Sequence, residues 1–506
     1  MAQRDLTPLA IAAVTFTAHA LVAGRYGFFR DELYFIDCGR HPALGYADQP
    51  PLAPLIAALT QLAGPNLVLL RLLPALAHAL TVVTAATLAR LIAVDAGLGG
   101  RVAAALTAAA VALSPMYLGL HTTFGTTTFE PLAWTAIALL VARAVSRHDL
   151  RALVLAGAVA GIAMEFKYAL PFYLLPLVVG LIASPDRRVL FNRQAAAGTA
   201  IALLLAAPSV LWQWSHGWPF LELLGAAKEK NVAFSSLEFL GNQVLVMNPV
   251  LAPLWMAGAI VPFLSRRFGR VRFLAVGFVG VLLEMMFLHG KDYYPAPGYA
   301  AAFALGSSAV EAWMPRMGSF RIAALALALI VCAVAAPTAM PILDPPSLAA
   351  YQRTLHLGGQ AQEKNAVGAP IPQEFADMLG WEELEARVAK AFHALTPQER
   401  ARVAIVTSNY GEAAALDFFG GKDGLPPALS GHNQFYFWGP RGHDGSVVLR
   451  INGNIERWRD ICDDVRLVGT FGVEYSLVYE KDRPILLCRG MKKRLDESWS
   501  DFKHID

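Results

Sequence analysis

Charge is scarce in this chain. Asp, Glu, Lys and Arg make up only 16% of its 506 residues, whereas 56% are hydrophobic. An average soluble domain is about 25% charged and about 45–50% apolar, so the excess is too large for one water-soluble core. The net charge of +3 gives no argument for a nucleic-acid partner. Four cysteines in so long a chain make no disulfide framework. Also missing are a Walker lysine loop, a dinucleotide glycine fingerprint, a metalloprotease helix and any zinc-spaced Cys/His set. ATP-driven chemistry is therefore not indicated. The first apolar run lacks a small-residue cleavage site and reads as a retained span, not a signal peptide.

Long apolar runs are what the chain has in quantity, and they stop near Ala339. Eleven membrane spans are expected, at about 6–24, 67–93, 101–120, 128–145, 151–168, 170–184, 195–214, 245–264, 272–289, 294–312 and 321–340. Residues 52–63 are apolar but short, which suits a helix lying at the interface. With Arg4 inside, the cytoplasmic connections hold Arg101; Arg143, Arg147 and Arg151; Arg187, Arg188 and Arg193; Arg266, Arg267, Arg270 and Arg272; and Arg316 and Arg321. The opposite connections are nearly bare of cations, apart from Arg25, Arg30 and Arg40 in the first loop. This positive-inside bias places the N-terminus in the cytoplasm and the tail outside. No internal repeat is evident.

After Pro346 the composition changes. The expected organisation is a transmembrane domain over 1–341 with its first outer loop at 25–66, a linker at 342–380 and a small α/β domain at 381–506. In the tail, helical patterns at 381–395 and 455–462 accompany strand candidates at 402–409, 446–451, 465–470 and 484–488. Cys462 and Cys488 lie in this tail. Outside the cytoplasm they would sit in an oxidising compartment, and they are expected to pair.

Five polar groups interrupt the apolar background. The first outer loop reads FFRDELYFIDCGRHPALGYADQPP from Phe28 to Pro51 and carries Asp31, Glu32 and Asp48. Carboxylates beside a bilayer are costly and are functional candidates by default. Paired carboxylates suit proton abstraction, although either can instead cap a short helix. Glu130 opens the fourth span within TTTFEP, where an acid also suits a helix N-terminus. Lys167, within MEFKYALP, either binds an anionic head group or snorkels, and Glu165 can neutralise it. The segment LHGKDYYPAPGY brings His289, Lys291, Tyr293 and Tyr294 together. Its cations suit phosphate, while paired tyrosines are also ordinary belt residues. The fifth group, WQWSHGWPF at 212–220 followed by EKNVAF, reads most simply as interfacial anchors. All five fall on the outer side of the expected topology.

The stretches FRDELYFIDCGRHPALGYADQPPLAPLIA, TTTFEPLAW, GIAMEFKYALPFY and GKDYYPAPGYAAAFALG resemble the bacterial glycosyltransferase family 39 proteins. These are relatives of the protein O-mannosyltransferases and lipid A aminoarabinose transferases. The resemblance covers about residues 1–340, and SNYGEAAALDFFG and LSGHNQFYFWGP in the tail also resemble bacterial members. It implies the C-type membrane glycosyltransferase fold, a polyprenyl-phosphate sugar donor and inversion at the anomeric carbon. It matches Asp31 to the family's essential acid, with Glu32 beside it. It matches Glu130 to a second acidic position that is often Asp. It matches Lys167, beside Tyr168, and Lys291, Tyr293 and Tyr294 to the lysine and tyrosine positions. Asp31 and Glu32 are the catalytic candidates. Asp48, Glu130, Lys167, Tyr168, His289, Lys291, Tyr293 and Tyr294 are the binding candidates. No cofactor is assigned; some superfamily members use a divalent metal, but no ligand spacing here singles out a site. The reading that follows is a bacterial inner-membrane glycosyltransferase with a lipid, glycan or protein acceptor. The alternatives are a transporter or lipid flippase, and a scaffolding membrane protein.

Overall fold

A computed structural model describes residues 5–230, 235–313, 320–356 and 368–506. Arg4, Arg316, residues 231–234 of EKNVAF and residues 357–367 of the linker lie outside the described residues. The chain forms two compact units. One comprises Met1–Arg25, Asn66–Val210 and Ala233–Ile342; the other comprises Tyr26–Pro65, Leu211–Val232 and Leu343–Asp506.

The first unit is a bundle of membrane helices. Each expected span coincides with a helix or a broken pair. They run Thr7–Val22, Leu67–Asp95, Arg101–Ala112 with Pro115–Leu120, Glu130–Arg147, Arg151–Met164 and Leu170–Ile182. They continue as Arg193–Ser215, Ser236–Val246 with Ala252–Leu264, Arg272–Leu288, Ala296–Trp313 and Phe320–Ala339. By length and hydropathy alone, four described segments suffice to cross a bilayer: Leu67–Asp95, Arg193–Ser215, Arg266–Leu288 and Ile322–Ala339. The pair Ser236–Val246 and Pro249–Leu264 makes a fifth, bent by 97° where a single span was expected. Asn248 at the bend has φ 72°; its Oδ1 accepts the Val250 amide, which the bend frees, and its Nδ2 donates to the carbonyls of Leu113 and Ala328 in neighbouring segments.

Small residues hold these helices together. A Cβ on Gly306 would lie 1.8 Å from the Leu254 carbonyl oxygen, and one on Gly258 would lie 2.0 Å from that of Ala302. The helices Ala252–Leu264 and Ala296–Trp313 therefore touch backbone to backbone, which adds dispersion where lipid offers no hydrophobic drive. Large apolar side chains point the other way: Phe287 is 86% exposed and Leu204 73%. Such a surface suits acyl chains and not water.

The second unit has a five-stranded sheet: β1 Ala404–Thr407, β2 Leu429–Ser430, β3 Val447–Ile451, β4 Cys462–Phe471 and β5 Arg483–Met491. The order is β2-β1-β3-β5-β4; β2, β1 and β3 run parallel, and β5 is antiparallel to β3 and β4. The sequence located four strands, β1 as a continuous buried run, whereas the two-residue β2 is too short to carry a pattern. The helices Trp381–His393 and Ile455–Ile461 lie where the sequence places them. The first outer loop forms the helices Arg30–Arg40 and Leu52–Leu59 of this same unit. Cys462 and Cys488 are disulfide-bonded and join β4 to β5 across 26 residues, as expected. Closing a loop of that length restricts the unfolded chain, an effect of about 3 kcal/mol. Replacing both cysteines with alanine should lower stability by about that amount and visibly lower the melting temperature. An unchanged melt would show that the sheet holds without the bond.

Candidate functional site

In the second unit, Asp31 and Glu32 divide their work. The helix Arg30–Arg40 starts at Phe29, and Glu32 Oε2 accepts the Phe29 amide at 2.8 Å. Glu32 is fully buried in this capping role, so the adjacent acid is left for other use. The side chain of Asp31 is 34% exposed. Its Oδ1 accepts the Tyr410 hydroxyl at 2.7 Å, and Arg30 Nε lies 3.6 Å away. Arg30 is the hub behind it. Its guanidinium lies over the Tyr410 ring at 5.4 Å, bonds the Tyr479 hydroxyl, and reaches the buried Asp377 at 3.6 Å. A Cβ on Gly411 would approach Arg30 Cγ to 2.4 Å, so a side chain there would push the arginine out.

Asp48 is held by the same tail domain. Its Oδ1 accepts the Tyr34 hydroxyl at 2.8 Å, and Asn433 Nδ2 donates to Oδ2 at 3.2 Å. Gln434 completes the clamp. Its amide donates to the Tyr34 hydroxyl at 3.1 Å, and its Oε1 accepts the Ala47 amide at 3.0 Å. Burial pushes the Asp48 carboxyl up to about 7. The tail residues Tyr410, Asn433 and Gln434 were not among the candidates. They lie in SNYGE and SGHNQF, the two tail stretches that resemble bacterial family members.

In the first unit, Lys167 Nζ donates to Glu130 Oε2 at 2.8 Å. The ammonium also lies 5.2 Å from the Tyr294 ring centroid and 5.9 Å from that of Tyr293. Four predicted residues are thus brought together, and Lys167 pairs with Glu130 and not with Glu165. Glu165 instead accepts the Ser209 hydroxyl at 2.7 Å. Asp292 anchors the aromatic loop, accepting from Asn242 at 2.8 Å and, through its carbonyl, from Gln243 at 2.9 Å. Lys291 and Tyr168 are half-buried. His289 is exposed and caps the preceding helix in a left-handed conformation, φ 56°.

Among the described residues, one group has metal-ligand character: His432, His504 and Asp506, whose ligand atoms lie within 4.8 Å of one another. The first and last are 74 positions apart, so no sequence spacing announces them. The donor atoms of this group already have partners within the protein. His432 Nε2 lies 2.6 Å from Asp506 Oδ1, and both His504 ring nitrogens face backbone carbonyls, those of Phe502 and Ser408. The two imidazoles stack, ring centroids 4.4 Å apart.

Comparison with known proteins bears on this arrangement. Residues 48–212 match the profile of the dolichyl-phosphate-mannose-protein mannosyltransferases. No curated protein matches the sequence. The chain is similar to ArnT from Cupriavidus metallidurans, solved with undecaprenyl phosphate, at 13% identity and TM-score 0.60 over 95% of this chain and 97% of that one. The apo form of ArnT gives 15% identity and the same TM-score, covering 95% and 96%. An oligosaccharyltransferase from Archaeoglobus fulgidus, in complex with Zn and sulfate, gives 14% identity and TM-score 0.52, covering 83% of this chain and 62% of that one. The chain has the C-type membrane glycosyltransferase fold, with a small C-terminal α/β domain.

The buried acids of the second unit give this structure a pH dependence. Burial raises Asp48 to about 7, and burial together with Asp37 raises Asp417 to about 8, from an ordinary value of 3.8. The folded chain therefore keeps protons that the unfolded chain releases. Their stabilisation is complete below about pH 4 and is lost as pH rises through about 7 to 8. The melting temperature should fall from pH 5.5 to 8.5, and Asp48→Asn should flatten that fall. A variant with the same slope as the parent would contradict the assignment.

Proposed function

We propose that this chain is an inverting glycosyltransferase that moves a sugar from polyprenyl phosphate to an acceptor hydroxyl on a lipid, glycan or protein. The observation that carries this reading is Asp31. It is a partly exposed carboxylate, relieved of helix capping by Glu32 and oriented by the Tyr410 hydroxyl. The C-type fold supports the donor class, since relatives of that fold were solved with undecaprenyl phosphate or act as oligosaccharyltransferases.

In the proposed step the acceptor oxygen attacks the anomeric carbon. A new C–O bond forms there as the bond to the phosphate oxygen breaks. Polyprenyl phosphate leaves with that electron pair, and the acceptor proton passes to Asp31. A positioned base contributes typically about 10²–10⁴-fold. Lys167 and Lys291, with His289, are assigned to the charge that grows on the leaving phosphate. Glu130 holds Lys167 in place, and Tyr168, Tyr293 and Tyr294 shape its surroundings. No step is routed through a metal.

The membrane arrangement is part of the proposal. The arginine asymmetry favours an inner-membrane protein with its N-terminus inside and residues 342–506 outside. The Cys462–Cys488 bond supports an oxidising compartment for the tail. Reporter fusions after residues 190 and 350 should respond as cytoplasmic and extracytoplasmic respectively; a cytoplasmic response at 350 would overturn this topology.

Purified protein given a labelled polyprenyl-phosphate sugar should release polyprenyl phosphate, which neither a flippase nor a scaffold would do. Asp31→Asn keeps shape and removes the basic charge, so turnover should fall about 10²-fold or more while the protein stays folded. Tyr410→Phe keeps the ring and removes only the hydroxyl that orients Asp31. It should lower kcat about tenfold, leave KM for donor nearly unchanged and shift the pH–rate profile. Near-normal turnover by a well-folded Asp31→Asn protein would refute the base assignment.

A further inference from the structure

A second polar feature of the tail domain is not used by the reaction above. Strands β2, β1 and β3 are parallel in the order 2-1-3, so the chain leaves β1 for one neighbour and returns to the other. Crevices at the carboxyl ends of strands, where the order reverses, are where open α/β sheets take ligands. A cleft of about 510 Å³ reaches this edge at Thr407 from β1, Gly431 after β2 and Arg450 from β3, and runs along the helix Ile455–Ile461 to Met491 and Lys492 at the end of β5. That size suits a small ligand of one or two rings.

The cleft has an excess of positive charge. Arg450, Arg457 and Lys492 line it, and none has a carboxylate within 4 Å among the described residues. Lys492 bonds only the Asp460 main-chain carbonyl, at 2.8 Å. The other two lysines at the rim are matched. Lys503 pairs with Glu222 at 2.7 Å, and Lys493 lies 3.7 Å from Asp501. Asp460 is the remaining acid of the lining; Glu412 supports the charge of Arg450 at longer range, and the Arg450 guanidinium lies 5.6 Å from the Trp458 ring centroid. Arg450 is the telling member. An exposed arginine is solvated and needs no partner, but burial pushes this guanidinium down to about 10. Its hydrogen bonds run only from Nη1, to the carbonyls of Val406 and Thr407, and its buried Nε has none. Phe502 also lines the cleft and offers an apolar face.

We propose that this cleft binds an acidic saccharide, with Arg450 and Arg457 gripping its phosphate or carboxylate and Phe502 packing against the sugar ring. Guanidinium forks match both anions in geometry, and the aromatic face distinguishes a sugar acid from a bare ion. Direct binding tests this without reference to glycosyl transfer, so it stands or falls apart from the transferase reading.

The experiment is isothermal titration of the full-length protein in detergent with glucose 6-phosphate and with glucuronate, using glucose and inorganic phosphate as comparisons. Both acidic sugars should bind, at least tenfold more tightly than glucose or phosphate, and more weakly as salt is raised. Arg450→Ala should abolish binding. Because that residue is half-buried, packs on Trp458 and its loss can unfold the domain, the exposed pair Arg457→Ala and Lys492→Ala carries the decision. Together they should weaken binding about tenfold or more in a protein with an unchanged melt. Absence of heat from either acidic sugar at millimolar concentration would overturn the proposal. So would equal affinity for glucose, tight binding of inorganic phosphate alone, or unchanged affinity in the double variant.

Discussion

The second unit is assembled around one cation. A buried arginine is tolerable only when its charge is matched and its donors are used. Arg30 has its charge matched by Asp31 and Asp377 and meets the Tyr479 hydroxyl and the Tyr410 ring, while its buried Nε makes no hydrogen bond. The same set of contacts turns Asp31 outward to its partly exposed position. Carboxylates that the arginine does not fully match pay for burial in protons: Glu480, beside Asp377, is held well above the ordinary range. The clamp on Asp48 repeats the device in neutral form, through tyrosine, asparagine and glutamine.

The membrane unit solves a different problem. Its polar residues must be satisfied where water is scarce, and its helices must adhere where burial gains little. Glycine contacts supply adhesion, and Glu130 with Lys167 shows how charge is tolerated. The acid sits at the start of its helix, where the positive end of the macrodipole favours it. The ammonium then lies against two tyrosine rings.

Much of this was legible in the sequence because it is local. Hydrophobic runs marked the helices, and alternation marked the longer strands. The exchange of roles between Asp31 and Glu32 was not legible. A capping box is recognised by Ser or Thr three residues before the acid, and here the N-cap is Phe29. The partners of Asp31 and Asp48 were hidden by distance along the chain: Tyr410 is 379 residues from Asp31, and Asn433 is 385 from Asp48. The bend at Asn248 is marked by the Asn248-Pro249 pair, but the apolar run on both sides of it reads as one span; the turn itself is made by an asparagine at positive φ. The resemblance of SNYGE and SGHNQF to family members was the one cue to the tail residues, and it carried no role.

The contact between Arg30 and Tyr479 spans 449 residues. A ribosome adds about 5–20 residues per second, so the loop emerges roughly 20–90 seconds before its last partner exists. During that interval its arginine and acids have no tail domain to bury them and must stay hydrated. The order of synthesis therefore makes the tail the closing piece of its unit: a chain truncated before Tyr479 would leave Arg30 without the last of its partners, however well the membrane helices had already inserted.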